Sequence, residues 1–325
     1  MMGNTTGHTT GHTAARHRWV NRQRQRGVAV ITALLLTTLA VTIVASLFWQ
    51  QQVQVRSMEN QRLHLQTQWI LRGALELSSL ILKSRSGQAA QFTSLDQVWT
   101  TPLAETRLDQ YIERERVENE VFNATLSGSL SDATARYNLN LLAAGGVVDA
   151  DQVAIFKRLL TNVRLDPGLA VKVAQMVASA TPPPQRTSTN VPMGLVQVND
   201  LLAVPGWTLD AVERLREFVI VLPATAEVNV NTAPAEVLSA LLQNCSVSQA
   251  AAMVEKRKQV PARTMTNFTT LYPTMPPMPG AKLTVVSSYF LARSRIRLDR
   301  AALDAESLIE SNLGNQTTVL WTRQN

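Results

Sequence analysis

From Gly27 to Trp49 the chain runs GVAVITALLLTTLAVTIVASLFW, with no charged side chain between Arg26 and Arg56. At 1.5 Å per residue that is about 35 Å of helix, enough to cross a hydrocarbon layer of about 30 Å. A segment this apolar and this long needs an apolar surround, so the chain is expected to cross a membrane once. Arg16, Arg18, Arg22, Arg24 and Arg26 precede it and only Arg56, Glu59 and Arg62 follow closely. The positive-inside rule then places the amino terminus in the cytoplasm and the rest of the chain on the far side.

The charge balance supports that division. The 325 residues carry a formal +7, but the five arginines before the span contribute five of those charges, and residues 28–325 are left near neutral at +2. A body built to grip phosphates needs a dense basic surface, which this one lacks. With 45% hydrophobic and 17% charged residues it can bury a core. Its one cysteine, Cys245, excludes an internal disulfide and a thiolate metal cluster.

Catalytic chemistry finds little to work with. His8, His12 and His17 lie in the basic arm and His64 on the predicted stem, so the globular body has no histidine base. Walker, zinc and nucleophile-elbow signatures are lacking. His8 and His12, four apart in a Thr/Gly arm without helical pattern, make a poor metal pair. Glu113, Glu115, Glu118 and Glu120, interleaved with Arg114 and Arg116, read as a solvated face. The chain is expected to be neither an enzyme nor the holder of a cofactor, and its metal status stays open.

A cleaved secretory leader has a shorter apolar region and an A-x-A site, which is not found here. Instead Gln25-Arg26-Gly27-Val28 puts a glycine where the basic arm meets the apolar run. This resembles a type IV prepilin leader, which a membrane peptidase cuts after the glycine; a plain signal anchor has similar features. Counting from Val28, the fifth residue is Thr32, where most pilin-like chains carry a glutamate. In pilins that carboxylate is thought to pair with the amino terminus of a neighbour, since an unpaired charge in lipid is costly.

The body extends this likeness in patches. After a glutamine-rich stretch, Trp69, Ile70, Gly73, Ala74, Leu77, Leu80 and Ile81 fall on one helical stripe, which predicts a helix continuing to Lys83. Gly73 leaves a bend open as the alternative. Val117–Leu130 has a strand and turn signature, as do residues 283–298 and 317–322. Asp149 with Gln152, and Ser246 with Gln249, have capping-box spacing, and Asp166-Pro167 reads as an N-cap before a proline. The words ENQRLHLQTQWILRGALE (59–76), WTTPLAE (99–105), ARYNLNL (135–141) and VNVNTAPAEVL (228–238) resemble the minor pseudopilins of type II secretion known as the protein K family.

That resemblance implies an α+β, pilin-like fold with a long N-terminal helix, a small antiparallel sheet and a large inserted helical domain. The expected divisions are a leader at 1–27, a stem at 28–83, pilin-like parts at 84–140 and 279–325, and the insertion at 141–278. It further implies cutting between Gly27 and Val28, methylation of Val28, and assembly with minor pseudopilins I and J at the tip of the periplasmic pseudopilus. Prepilin peptidase and the inner-membrane secretion platform would be the other partners. Thr32 would be the position that lacks the register glutamate, which is a mark of this family. A helical domain followed by an unrelated β-domain is the competing architecture.

Asn229-Val-Asn231-Thr232-Ala-Pro234 is the most specific local string. It supplies side chains that bond the backbone where a strand turns into a helix start. Tyr137-Asn-Leu-Asn140 echoes it, which suggests an internal repeat. Similar strings occur in helix-hairpin-helix modules that bind DNA, and a membrane-anchored DNA-uptake protein is the alternative function. The hairpin expected here, Gln243-Asn-Cys245, lacks the glycines that let amides approach phosphate, so no nucleic acid is expected. Calcium is associated with the family's globular region, but this chain has no carboxylate between Asp166 and Asp200 to offer a hard cation in that loop.

Overall fold

The computed structural model describes residues 25–85, 91–108, 123–181, 191–312 and 316–324. The leader arm before residue 25, the glutamates at 113–120 and most of the 181–190 loop lie outside those residues. The chain forms two compact units that divide between Arg62 and Leu63.

Helix α1 spans Gln25–Lys83, 59 residues without a proline. Gly73 lies within the uninterrupted helix, so its missing side chain imposes no break. In the second unit, α1 lays Leu71, Ala74 and Leu82 on one face of a five-stranded antiparallel sheet. Its strands are β1 (Leu103–Arg107), β2 (Ala124–Asp132), β9 (Tyr289–Leu298), β10 (Ala301–Ser311) and β11 (Thr317–Gln324), in the order β1-β2-β9-β10-β11. Side chains alternate across the ladder. Leu126, Ile296, Leu303 and Ala305 meet Leu71 and Ala74, while Phe290, Ala292 and Ile309 meet Leu82 and Trp99. Trp99 packs edge-on to Phe290 with ring centroids 5.3 Å apart. Burying each of these large side chains contributes about 1.5–3 kcal/mol.

Between β2 and β9 the chain makes short strands and helices around a separate, larger core. The elements are β3 (Tyr137–Asn138), β4 (Ala143–Ala144), β5 (Val147–Val148), α2 (Ala150–Asn162), α3 (Leu169–Ala180), α4 (Leu209–Leu215), β6 (Val219–Ile220), β7 (Val228–Asn229), α5 (Ala235–Leu241), α6 (Val247–Gln259), α7 (Met265–Leu271) and β8 (Leu283–Thr284). Tyr137 stacks on Phe156 with centroids 5.6 Å apart at the centre of that core. Two parallel pairs, β3 with β6 and β7 with β8, close the two halves of the insertion in the same way.

The structure differs from the sequence-based expectations in four places. Residues 283–298 do not form one strand: Leu283–Thr284 pairs with β7 in the insertion, while Tyr289–Leu298 pairs with β2 and β10. One straight strand cannot serve both ladders, and the chain leaves the first before joining the second. β10 was unexpected, because AALDAESLIES favours a helix by composition, yet its ten pairings with β9 override that preference. Asp166 does not cap a helix at Pro167: its Oδ1 accepts from Gly168 N at 2.8 Å, and α3 starts at Leu169 with Gly168 as N-cap. Asp149 does cap α2, accepting from Asp151 N and Gln152 N, but the Gln152 amide donates instead to Gly280 O at 2.6 Å. The Ser246–Gln249 capping box forms completely.

Candidate functional site

Two groups of residues carry the chain's special chemistry, one in each unit. In the first, the apolar window of α1 is unburied by the rest of the protein, and Leu34, Leu35, Leu36 and Phe48 are all exposed. A soluble core helix would have this surface covered. Among the described residues it is the one helix long and apolar enough to cross a membrane, which supports single-pass anchoring. Its hydroxyls are closed on their own helix: Thr32 Oγ1 donates to Val28 O and Ala29 O at 3.0 Å, Thr37 to Leu34 O, Thr38 to Leu35 O, and Thr42 to Thr38 O and Leu39 O. In lipid such bonds remove the cost of an unpaired hydroxyl. The Gly27–Val28 bond lies in the first turn of α1, where few backbone bonds hold the chain.

The second group is a polar node buried in the globular unit. Asp132, the last residue of β2, is 6% exposed. Its Oδ1 accepts from Thr134 N and Thr134 Oγ1 at 2.8 and 2.6 Å, and its Oδ2 from Thr232 Oγ1 and Ser287 Oγ, both at 2.5 Å. Asn229 Nδ2 donates to Ser287 Oγ at 2.7 Å and to Thr93 O at 3.1 Å, while its Oδ1 accepts from Asn231 N at 2.9 Å. Asn231 exchanges two bonds with the Ala262 backbone, at 2.8 and 2.9 Å. The node therefore joins the end of β2, the Asn-x-Asn string of the insertion and the segment leading into β9, which are the crossings between sheet and insertion.

Electrostatics follow from burial. Desolvation raises the Asp132 carboxyl above its ordinary value, against the hydrogen bonds from Ser287, Thr134 and Thr232 that favour the charged form. Arg85, lowered by burial and partly restored by Asp132, donates to Thr93 Oγ1 and Ser311 Oγ and lies over Phe290. Arg257 is lowered to about 10 by desolvation and donates to Val230 O at 2.8 Å.

Asn229, Asn231 and Thr232 thus meet in one node, but Thr232 bonds a carboxylate on another element instead of starting a helix. Pro234 is the N-cap of α5 and makes no side-chain cap bond. The echo at Tyr137–Asn140 repeats the device: Asn138 Oδ1 accepts from Asn140 N and Leu222 N, and its Nδ2 donates to Pro223 O. Asp132 was missed by sequence reasoning, since a lone aspartate after a strand carries no local mark of a distant set of donors. Asn244 of the α5–α6 hairpin has φ +53°, and the neighbouring Gln243 N–H donates to Pro276 O at 2.8 Å, so that amide is already engaged. Among the described residues no group of three or more His, Cys, Asp or Glu could hold a metal ion.

Stem, five-stranded antiparallel sheet and inserted helical domain define the class: an α+β, pilin-like protein with an N-terminal membrane-type helix. Models of the type II secretion system protein K match residues 135–224 and 228–288, one for each half of the insertion. The chain is similar to the type II secretion system protein K family over both of those stretches. It is 28% identical over 271 residues to protein K of Pseudomonas aeruginosa, covering 76% of this chain and 77% of that one. With the Pectobacterium carotovorum protein K it shares 26% identity over 341 residues, covering 93% and 97% of the two chains. Its fold matches a chain of the crystal structure of the GspK-GspI-GspJ complex from the enterotoxigenic Escherichia coli type 2 secretion system. The TM-score is 0.57 at 19% identity, over 82% of this chain and 99% of that one.

Proposed function

We propose that this protein is a minor pseudopilin that sits at the tip of the periplasmic pseudopilus and starts or caps it, so that folded proteins are exported across the outer membrane. Its amino terminus faces the cytoplasm, its stem crosses the inner membrane, and prepilin peptidase trims it after Gly27 and methylates Val28. Minor pseudopilins I and J are its partners at the tip, in line with the complex in which the solved relative was crystallised, and the inner-membrane platform assembles the filament below. The divisions at 27 and 83 set off leader and stem, and the insertion lies between the end of β2 and the start of β9.

One observation carries this reading: an unburied apolar stem whose fifth residue from Val28 is a neutral threonine closed on its own backbone. A subunit without a buried carboxylate has no unpaired charge to satisfy and tolerates having no neighbour ahead of it. The insertion adds bulk that keeps another subunit from docking above. The test is intact-mass analysis of the full chain from hosts with and without the peptidase, with gold labelling of pseudopili. A mature form beginning at Val28 and label at one filament end support the proposal. Residues 1–27 retained in both hosts, or label along the whole filament, refute it.

A further inference from the structure

The face of the sheet turned away from α1 is only partly covered by the insertion. At one end Leu291 and Leu308 pack with Ile220 and Leu222. Beyond them the two parts separate into an open groove of about 620 Å³. This volume is on the scale of ligand-binding clefts.

The groove has a built charge pattern. Its floor is a lane of small residues, Ser127-Gly128-Ser129 of β2, beside Arg293 and Arg295 of β9, and its far wall carries Arg136 and Arg216. Gly128 is required there, because a Cβ would lie 2.9 Å from the Arg293 carbonyl oxygen. Arg323 closes the lining, donating to Val196 O at 2.9 Å with its guanidinium 4.0 Å from the Trp321 ring centroid. Five arginines thus line the groove with two carboxylates, Asp304 and Glu306. These bond Arg295 and Arg293 through Nε, at 2.8 and 3.0 Å. Arg323 makes no ion pair among the described residues, whereas Arg136 pairs with Glu217 at 3.4 Å and Arg216 with Glu213 at 2.7 Å; burial lowers the Arg136 pKa, and Arg293 across the gap lowers it further against the pull of Glu217. A negative charge placed between Arg136 and Arg293 would relieve their repulsion.

We propose that this groove binds an extended acidic segment of a partner protein, whose carboxylates dock between the Arg293–Arg295 row and the Arg136–Arg216 wall. Guanidinium forks favour planar carboxylates. The two floor carboxylates interrupt the positive row and disfavour the evenly spaced phosphates of a nucleic acid. The serine lane gives an extended backbone room and hydroxyl partners. Ile220, Val221 and Trp321 in the same lining suit a peptide that mixes apolar and acidic side chains. The proposal stands apart from the tip reading, since it concerns the globular unit alone.

The test uses the full chain in detergent and a fluorescein-labelled peptide of eight residues alternating Glu and Leu, read by anisotropy, with the Lys/Leu peptide as control. Binding to the acidic peptide that weakens with salt, and falls at least about tenfold in Arg295→Glu and in Ser129→Trp, is expected. Arg295 is 61% exposed, so its reversal leaves the fold intact and decides the matter if Ser129→Trp does not fold. Equal binding of both peptides, binding unchanged in Arg295→Glu, or displacement by inorganic polyphosphate as effective as by unlabelled peptide would overturn the proposal.

Discussion

Asn229→Ala tests whether the buried node holds the insertion to the sheet. The side chain is 0% exposed and makes three short bonds, to Asn231 N, Thr93 O and Ser287 Oγ at 2.9, 3.1 and 2.7 Å. Each such bond contributes about 1 kcal/mol net, and stranding the buried Asn231 N–H and Thr93 carbonyl adds to the loss. The expected destabilisation is roughly 3–4 kcal/mol, which lowers Tm by roughly 6–16 °C for a unit of this size. Asn231→Ala removes only the two bonds to Ala262 and should cost about 2 kcal/mol. Urea unfolding followed by tryptophan emission measures both, because Trp99 beside the sheet and Trp207 in the insertion are both buried. Weakening the node should separate the Trp99 and Trp207 transitions in single-tryptophan variants. A loss below about 1 kcal/mol for Asn229→Ala, or one no larger than that of Asn231→Ala, refutes the node as the clamp.

Burial raises the Asp132 carboxyl above its ordinary 3.8, so the folded chain holds that proton to higher pH than the unfolded chain does. Its stabilising contribution is therefore full below about pH 4 and declines as pH rises through the folded value. Asp132→Asn removes this dependence, and its cost relative to wild type should shrink from pH 4 upward; a cost that grows with pH contradicts desolvation as the dominant effect. Gly128→Ala forces the Arg293 carbonyl to shift, with a loss of about 1–3 kcal/mol in chemical denaturation, and an unchanged midpoint would show that the strands have slack. Ser246→Ala breaks a formed capping box and should cost about 1 kcal/mol by the same measurement. Thr32→Glu, under the proposed tip role, should draw the protein into the filament body, which electron microscopy of labelled pseudopili would reveal; unchanged placement speaks against the role given to Thr32.

Local signals were legible wherever the physics is local. The uncharged run from Gly27 and the stripe through Trp69, Ala74 and Leu77 announced one continuous helix, because a helix is held by neighbours three and four residues away. Ser246 and Gln249 announced α6 for the same reason. β10 was hidden because its Ala, Glu and Leu residues adopt a strand only through pairing with β9; the signal that could have exposed it is Asp299-Arg300. Asp299 takes φ +50° in the two-residue turn that brings Leu298 opposite Ala301. Asp132 was hidden by distance along the chain, since its donors Thr232 and Ser287 lie 100 and 155 residues away. The Asn-x-Asn string was visible as a backbone-bonding device, but the identity of what it bonds was not.

Thr32, Thr37, Thr38 and Thr42 of the apolar window, each folded back on carbonyls of its own helix, hold no free hydroxyl out to a neighbour, and charged and glutamine side chains follow only after Trp49. That window can turn about its long axis in an apolar surround without breaking a side-chain hydrogen bond. Under the proposed role, the fit of that window among other helices rests on shape.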